Sequence, residues 1–163
     1  ALDLALGGGF PKGTLTTLEG PVSSGRWTIA TRLLAQGTRR GLAAVLDGGA
    51  VYPPSLAAAG VSLERLLIVP APAPIMTARA ADALLRSRAC GVVAFDAPSL
   101  HSAVWLRLAG LAHKNGTLLL VVTMQPPPEL AAAAQLRVRF ERAVPNELRL
   151  YIRHESVRIP CSP

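Results

Sequence analysis

Through residue 125 the chain alternates short apolar runs with longer stretches of helical pattern, and that alternation limits its fold more than any other feature. Leu15 to Glu19 reads as a strand, followed by a Gly/Ser loop from Gly20 to Gly25 and a helix from Arg26 to Thr38. Strand-length runs follow at Leu42 to Asp47, Leu66 to Val69, Gly91 to Asp96 and Thr117 to Met124. Helical pattern fills the spaces between them. Ser55 to Ala59 is a short helix, Thr77 to Arg88 a longer one, and Ser99 caps a third that runs to Lys114. Strand–helix alternation of this kind predicts an α/β fold: a mostly parallel, twisted sheet flanked by helices on both faces. After Gln125-Pro126-Pro127-Pro128 the period changes to two. Leu136 to Arg142 and Leu148 to Arg153, joined by Val144 to Glu147, predict a C-terminal antiparallel hairpin. No repeat or linker divides the chain, so residues 1–163 are expected to form one domain.

The composition narrows the function classes. Half of the residues are hydrophobic but only 4% are aromatic, so the core is aliphatic. The longest strongly apolar run, Leu118 to Val122, is strand-sized, and no membrane partner is expected. Ala1-Leu2-Asp3-Leu4 has neither a basic region nor a long apolar run, so it does not read as a signal peptide. Cys90 and Cys161 have no metal-ligand spacing and are expected as unpaired thiols in a reducing, cytoplasmic setting. Net charge is +7, and of the 17 basic residues only Lys12 and Lys114 are lysines. That balance suits a polyanion partner, although arginine-rich codon usage would produce it equally. His101, His113 and His154 form no ligand set and read as solvated or structural. Trp105, Leu106 and Leu108 read as core positions of one helix.

Chemistry points to Gly20-Pro21-Val22-Ser23-Ser24-Gly25-Arg26-Trp27-Thr28. It lies between a strand and a helix, where loop N–H groups and a helix N-terminus converge on an anion. Gly20 and Gly25 fit the phosphate-loop pattern Gly-x4-Gly-Lys-Ser/Thr. Arg26 stands at the lysine and Trp27 at the hydroxyl residue. Arg26 keeps the charge in a planar fork rather than a point ammonium. Trp27 offers no lone pair to Mg²⁺, and Thr28 lies about 100° further round the helix. Gly20, Ser23, Ser24, Gly25, Arg26, Trp27 and Thr28 therefore form a degenerate nucleotide loop. It survives as a fold element, or it keeps weak ATP or ADP binding. No cofactor and no metal are required.

Those residues give the chain a resemblance to the RecA recombinase core. The family's Gly-Pro-Glu-Ser-Ser-Gly-Lys-Thr-Thr loop resembles Gly20 to Thr28, and Leu6 to Gly13 resembles the segment before it. Val45-Leu46-Asp47 with Pro54 and Ala59-Gly60-Val61 resembles the second strand and its turn. Val92 to Asp96 resembles the Walker B strand, and Leu118 to Gln125 the strand that ends in a switch glutamine. The resemblance implies a RecA-like P-loop core, with Asp96 as the Walker B-like residue and Gln125 as the switch-like residue. It also places Gly49 where the family's water-orienting glutamate belongs. With two of three phosphoryl-transfer requirements damaged, no ATPase activity is expected. The family's first DNA loop has shrunk to Ala97-Pro98-Ser99, and Pro126-Pro127-Pro128 replaces the second.

The shortened core is most similar to the ImuA group. That implies a non-catalytic accessory of SOS-induced, error-prone translesion DNA synthesis. Its expected partners are RecA and an ImuB-type polymerase-like protein, with single-stranded DNA as a further ligand. On the hairpin, Arg137 and Arg139 share a face, as do Arg149, Tyr151 and Arg153. These five form the candidate DNA or partner surface, or else a solvated face diluted by Glu141, Glu147 and Glu155. The rival readings are a divergent RecA/RadA-type ATPase in DNA repair and a SulA-like division inhibitor.

Overall fold

The computed structural model describes residues 9–144, 147–152 and 155–160, with side chains for residues 9–141. Its strands are β1 (Leu15–Glu19), β2 (Leu42–Asp47), β3 (Leu66–Pro70), β4 (Cys90–Asp96), β5 (Leu118–Thr123), β6 (Leu136–Val144), β7 (Glu147–Ile152) and β8 (Glu155–Pro160). Helices α1 (Arg26–Arg40), α2 (Pro53–Ala58), α3 (Pro74–Ser87), α4 (Ser102–Asn115) and α5 (Pro128–Ala133) lie between the first six. One sheet runs in the order β3-β2-β4-β5-β1-β6-β7-β8. Its first six strands are parallel, and β7 and β8 add antiparallel pairs at the far edge.

The apolar strand runs are explained by burial on both faces. Leu18, Val45, Ala94, Leu120 and Val122 pack beneath Ala30, Leu33 and Leu34 of α1. On the other face Ala44, Leu46, Val93, Phe95, Leu119 and Val121 meet Ala81 and Leu85 of α3. Trp105 and Leu108 of α4 and Leu130 of α5 complete that layer. Trp105 is fully buried and stacks on Phe95, with ring centroids 6.4 Å apart. Leu106 departs from the sequence reading: it is exposed, because it falls on the solvent side of α4.

Proline accounts for most boundary differences. α2, α3 and α5 each carry a proline in their first turn, where its missing N–H costs nothing and its φ suits a helix. Thus the helix expected from Ser55 begins at Pro53, the one expected from Thr77 begins at Pro74, and Pro128 opens a helix that the sequence reading omitted. Ser99 does not cap α4; the cap position is His101, with no side-chain hydrogen bond. The C-terminal region is also more than a hairpin at the edge. β6 pairs parallel with β1, β7 turns back on it, and β8 adds a third strand.

No helix among the described residues is long and apolar enough to cross a membrane. Cys90 is buried and unpaired among the described residues, and burial pushes its thiol pKa up. Cys161 and His154 lie outside the described residues.

Candidate functional site: a self-occupied phosphate loop

The loop from Gly20 to Gly25 leaves the carboxyl end of β1, between β5 and β6 in the sheet. Its position follows the general rule that open α/β sheets carry their sites beyond the carboxyl ends of the strands. Gly20 N–H is held by the carbonyls of Thr123 and Met124, both at 3.2 Å, which ties the loop to the end of β5. Gly20 has φ +151°, and a Cβ there would lie 2.7 Å from both the Phe140 carbonyl and the Ser24 hydroxyl. Gly20→Ala is therefore expected to destabilise the fold by about 2 kcal/mol, from backbone strain and a clash with an immovable carbonyl. Urea unfolding checks this, and an unchanged midpoint would contradict the crowding. Gly25 takes the left-handed conformation, φ 92°, and its carbonyl accepts the first helical bond from Ile29 at 3.0 Å.

Two polar side chains at the end of the loop, Arg26 and Trp27, are occupied from within. Arg26 Nη1 donates to the Gly20 carbonyl at 2.9 Å, so the guanidinium folds back on the loop. Trp27 Nε1 donates to Asp96 Oδ1 at 3.0 Å. This contact joins the first turn of α1 to the end of β4. Ser24 Oγ is buried and finds no partner, while Ser23 and Thr28 are exposed. Gln125 is exposed too, and its backbone carbonyl accepts a bond from the Thr123 hydroxyl at 2.9 Å. Beside the loop is a cleft of about 310 Å³ lined by Gly20, Pro21, Met124, Gln125, Arg139 and Glu141.

Gly49 stands in a turn closed by its neighbour. Asp47 Oδ1 accepts N–H bonds from Gly49, Ala50 and Val51 at 2.7, 2.8 and 3.0 Å. These donors, Gly49 first, hold the Asp47 carboxyl below the ordinary carboxylate range. No carboxylate is left at position 49 to orient a water.

A divalent metal bridging this loop and Asp96 does not fit the residues present. Indole Nε1–H is a donor only, and it already sits on the Asp96 oxygen that a metal would share. The candidate nucleotide residues are thus brought together in space, with Arg26 held by a loop carbonyl, Trp27 by Asp96, and the Ser24 hydroxyl left without a partner.

The candidate surface on β6 is also partnered. Glu19, last residue of β1, is 1% exposed. Arg137 Nε and Nη2 donate to its two carboxylate oxygens at 2.8 and 3.2 Å. Arg139 lies 3.6 Å away, and the Thr17 hydroxyl donates at 2.7 Å. The Glu19 carboxylate raises the Arg137 pKa further, chiefly through that hydrogen bond. Glu19 was not singled out from sequence, since it reads there as the polar end of a strand. Its signal would have been the parallel pairing of β1 with β6, which sets Thr17 opposite Arg137 and Glu19 opposite Arg139. Arg149 and Tyr151 have described backbone only: Arg149 stands opposite Glu141 and Arg158, and Tyr151 opposite Arg139 and Ser156. Arg153 lies outside the described residues.

Comparison with known proteins agrees with the fold. The family model for the RecA N-terminal domain matches residues 1–103. The chain belongs to the RecA family. "Protein RecA" of Prochlorococcus marinus (strain MIT 9303) is 41% identical over 97 residues, and that of Nostoc punctiforme (strain ATCC 29133 / PCC 73102) is 42% identical over 97 residues. Each match covers 58% of this chain and 26% or 27% of the relative, so the chain spans about a quarter of those RecA proteins. Within this RecA-family chain the matched region holds the loop, Gly49 and Asp96, and ends before Gln125 and β6.

Proposed function

We propose that the chain is a non-catalytic RecA-family accessory of SOS-induced, error-prone translesion DNA synthesis, acting in the cytoplasm through protein partners. The observation that carries the reading is Trp27 Nε1 on Asp96 Oδ1, at 3.0 Å. Phosphoryl transfer depends on a metal, a positioned phosphate and an oriented water acting together. Trp27 stands against the first, Arg26 is turned toward a loop carbonyl instead of outward, and Gly49 supplies nothing for the third. The resemblance of the shortened core to the ImuA group supports the DNA-damage setting, with RecA and an ImuB-type polymerase-like protein as partners. Single-stranded DNA is the further ligand to examine.

A divergent DNA-repair ATPase is the competing reading. Its support is the unpartnered Ser24 hydroxyl in the loop and the exposed Gln125 at the end of β5. Titrating the protein alone, and then against RecA on single-stranded DNA, while following ATP hydrolysis separates the two. The expected result is no turnover alone and a dose-dependent change in RecA's rate. Turnover by the protein alone that disappears in Arg26→Ala would establish the ATPase instead. Silence in both arms would remove RecA as the partner and move the search to the polymerase-like protein.

A further inference from the structure

We infer that the Trp27–Asp96 hydrogen bond takes the place of a divalent metal as the tie between the loop helix and β4, and holds the loop in one arrangement without nucleotide or metal. The inference deepens the non-catalytic reading and rests on it.

Three features of the loop lead there. First, the bond adds a polar tie at the carboxyl end of β4 to the apolar packing that already sets α1 against Val92 and Ala94 of that strand. Trp27 lies in the first turn of α1 and Asp96 ends β4, and the strands β1 and β4 are separated by β5. Second, its chemistry is one-directional. The indole N–H can only donate and an ionised carboxylate can only accept, so the pair is complementary and charge-assisted. Third, the start of the loop, Gly20, is tied down by the chain's own groups. Arg26 holds the Gly20 carbonyl, and the carbonyls of Thr123 and Met124 hold the Gly20 N–H. A loop that waits for a phosphate and a metal leaves such donors and acceptors facing its ligand. This one spends its two side chains best placed for a ligand on internal bonds. Trp27 and Asp96 are in this reading positioning residues, and the surface at the carboxyl ends of the strands is set permanently rather than by nucleotide state.

A hydrogen-bond acceptor and a metal ligand respond differently to substitution, and that difference supplies the test. Hydrogen exchange of the full chain would be followed by mass spectrometry on peptides covering residues 20–30. Peptides from β5 report whether each variant is folded. Asp96→Ala and Trp27→Phe are each expected to speed loop exchange about tenfold, the loss of one charge-assisted bond at a partly exposed site. The double variant is expected to exchange no faster than either single one, because both remove the same bond. Asp96→Asn is expected to fall between the wild type and Asp96→Ala, since its amide oxygen still accepts from the indole but without the charge. Mg²⁺ with ATP is expected to leave the wild-type loop unchanged. Wild-type exchange in Asp96→Ala, additive effects in the double variant, or slowing of the wild-type loop by Mg²⁺ would each overturn the inference. So would an Asp96→Asn rate equal to that of Asp96→Ala. If hydrolysis is silent and the loop is unaffected by Asp96→Ala, the non-catalytic reading stands and the tie alone falls. Turnover by the wild type removes the reading itself.

Discussion

Trp105→Ala is expected to destabilise the fold by about 4 kcal/mol, the range for emptying a fully buried aromatic site. Trp105 projects from α4 into the layer between the helices and the sheet, where Phe95, one residue before Asp96, stacks beneath it. A cavity there cannot be filled by collapse of α4 alone, because the same helix is fixed at Leu108, Ala109 and Ala112, all buried. Its outer face is also tied to α3, where Asp82 accepts from Arg107 of α4 at 2.7 Å and from Arg86 of its own helix at 2.8 Å. The exposed Arg107–Asp82 pair adds little energy on its own, but it resists sliding of one helix over the other. Trp105→Phe provides the control. The indole N–H has no hydrogen-bond partner in its buried site, and a phenyl ring discards that unmet donor while keeping most of the contact. It is expected to cost no more than about 1.5 kcal/mol. Urea unfolding followed by circular dichroism measures both. Equal losses in the two variants would mean that the filled volume is not what the buried indole contributes, and would contradict the cavity argument.

Arg137→Met is the second large effect, about 3 kcal/mol. Glu19 is the reason. Its carboxylate lies in the sheet interior with 1% exposure, and Arg137 supplies both of its closest charged donors. Methionine preserves the stem but leaves a buried charge with only the Thr17 hydroxyl and the more distant Arg139. Removing one partner of a buried pair costs more than the pair itself contributes, since the other is left uncompensated. Pairing the change with Glu19→Leu is accordingly expected to return most of the lost stability. Chemical denaturation of the two single variants and the double one tests the coupling. Independent, additive losses would show that Glu19 and Arg137 are not a unit. The same pair bears on ligand binding. Arg137 and Arg139 contribute less free positive charge to the face of β6 than their number suggests, because Glu19 already neutralises part of it.

Much of the fold was legible. The limits of β1 and β2 follow directly from their apolar runs, and the change to period-two alternation after residue 135 marks β6 and β7. Proline was the main source of error, because it ends a strand and starts a helix with equal ease. Pro126-Pro127-Pro128 does both: β5 stops before it, and α5 begins at Pro128. The short β8 was missed because its neighbour in sequence, the end of β7, dominates the pattern. At the site, the departures at Arg26, Trp27 and Gly49 needed only residue identities. The hydrogen bonds that answer those departures could not be read in the same way.

The sequence by itself therefore determined the class of fold, the place of the phosphate loop, and the departures at Arg26, Trp27 and Gly49 from a lysine, a hydroxyl residue and a glutamate. These depend on local periodicity and on which functional groups a side chain carries, both properties of the chain as written. Only the tertiary structure decided how the remaining groups are satisfied. Trp27 finds Asp96 across 69 residues, and Glu19 finds Arg137 across 118. The parallel sheet sets β1 beside β6 for the second pair, and for the first it brings the helix that follows β1 over the end of β4. Once buried or brought together there, a donor and an acceptor settle on each other rather than on water.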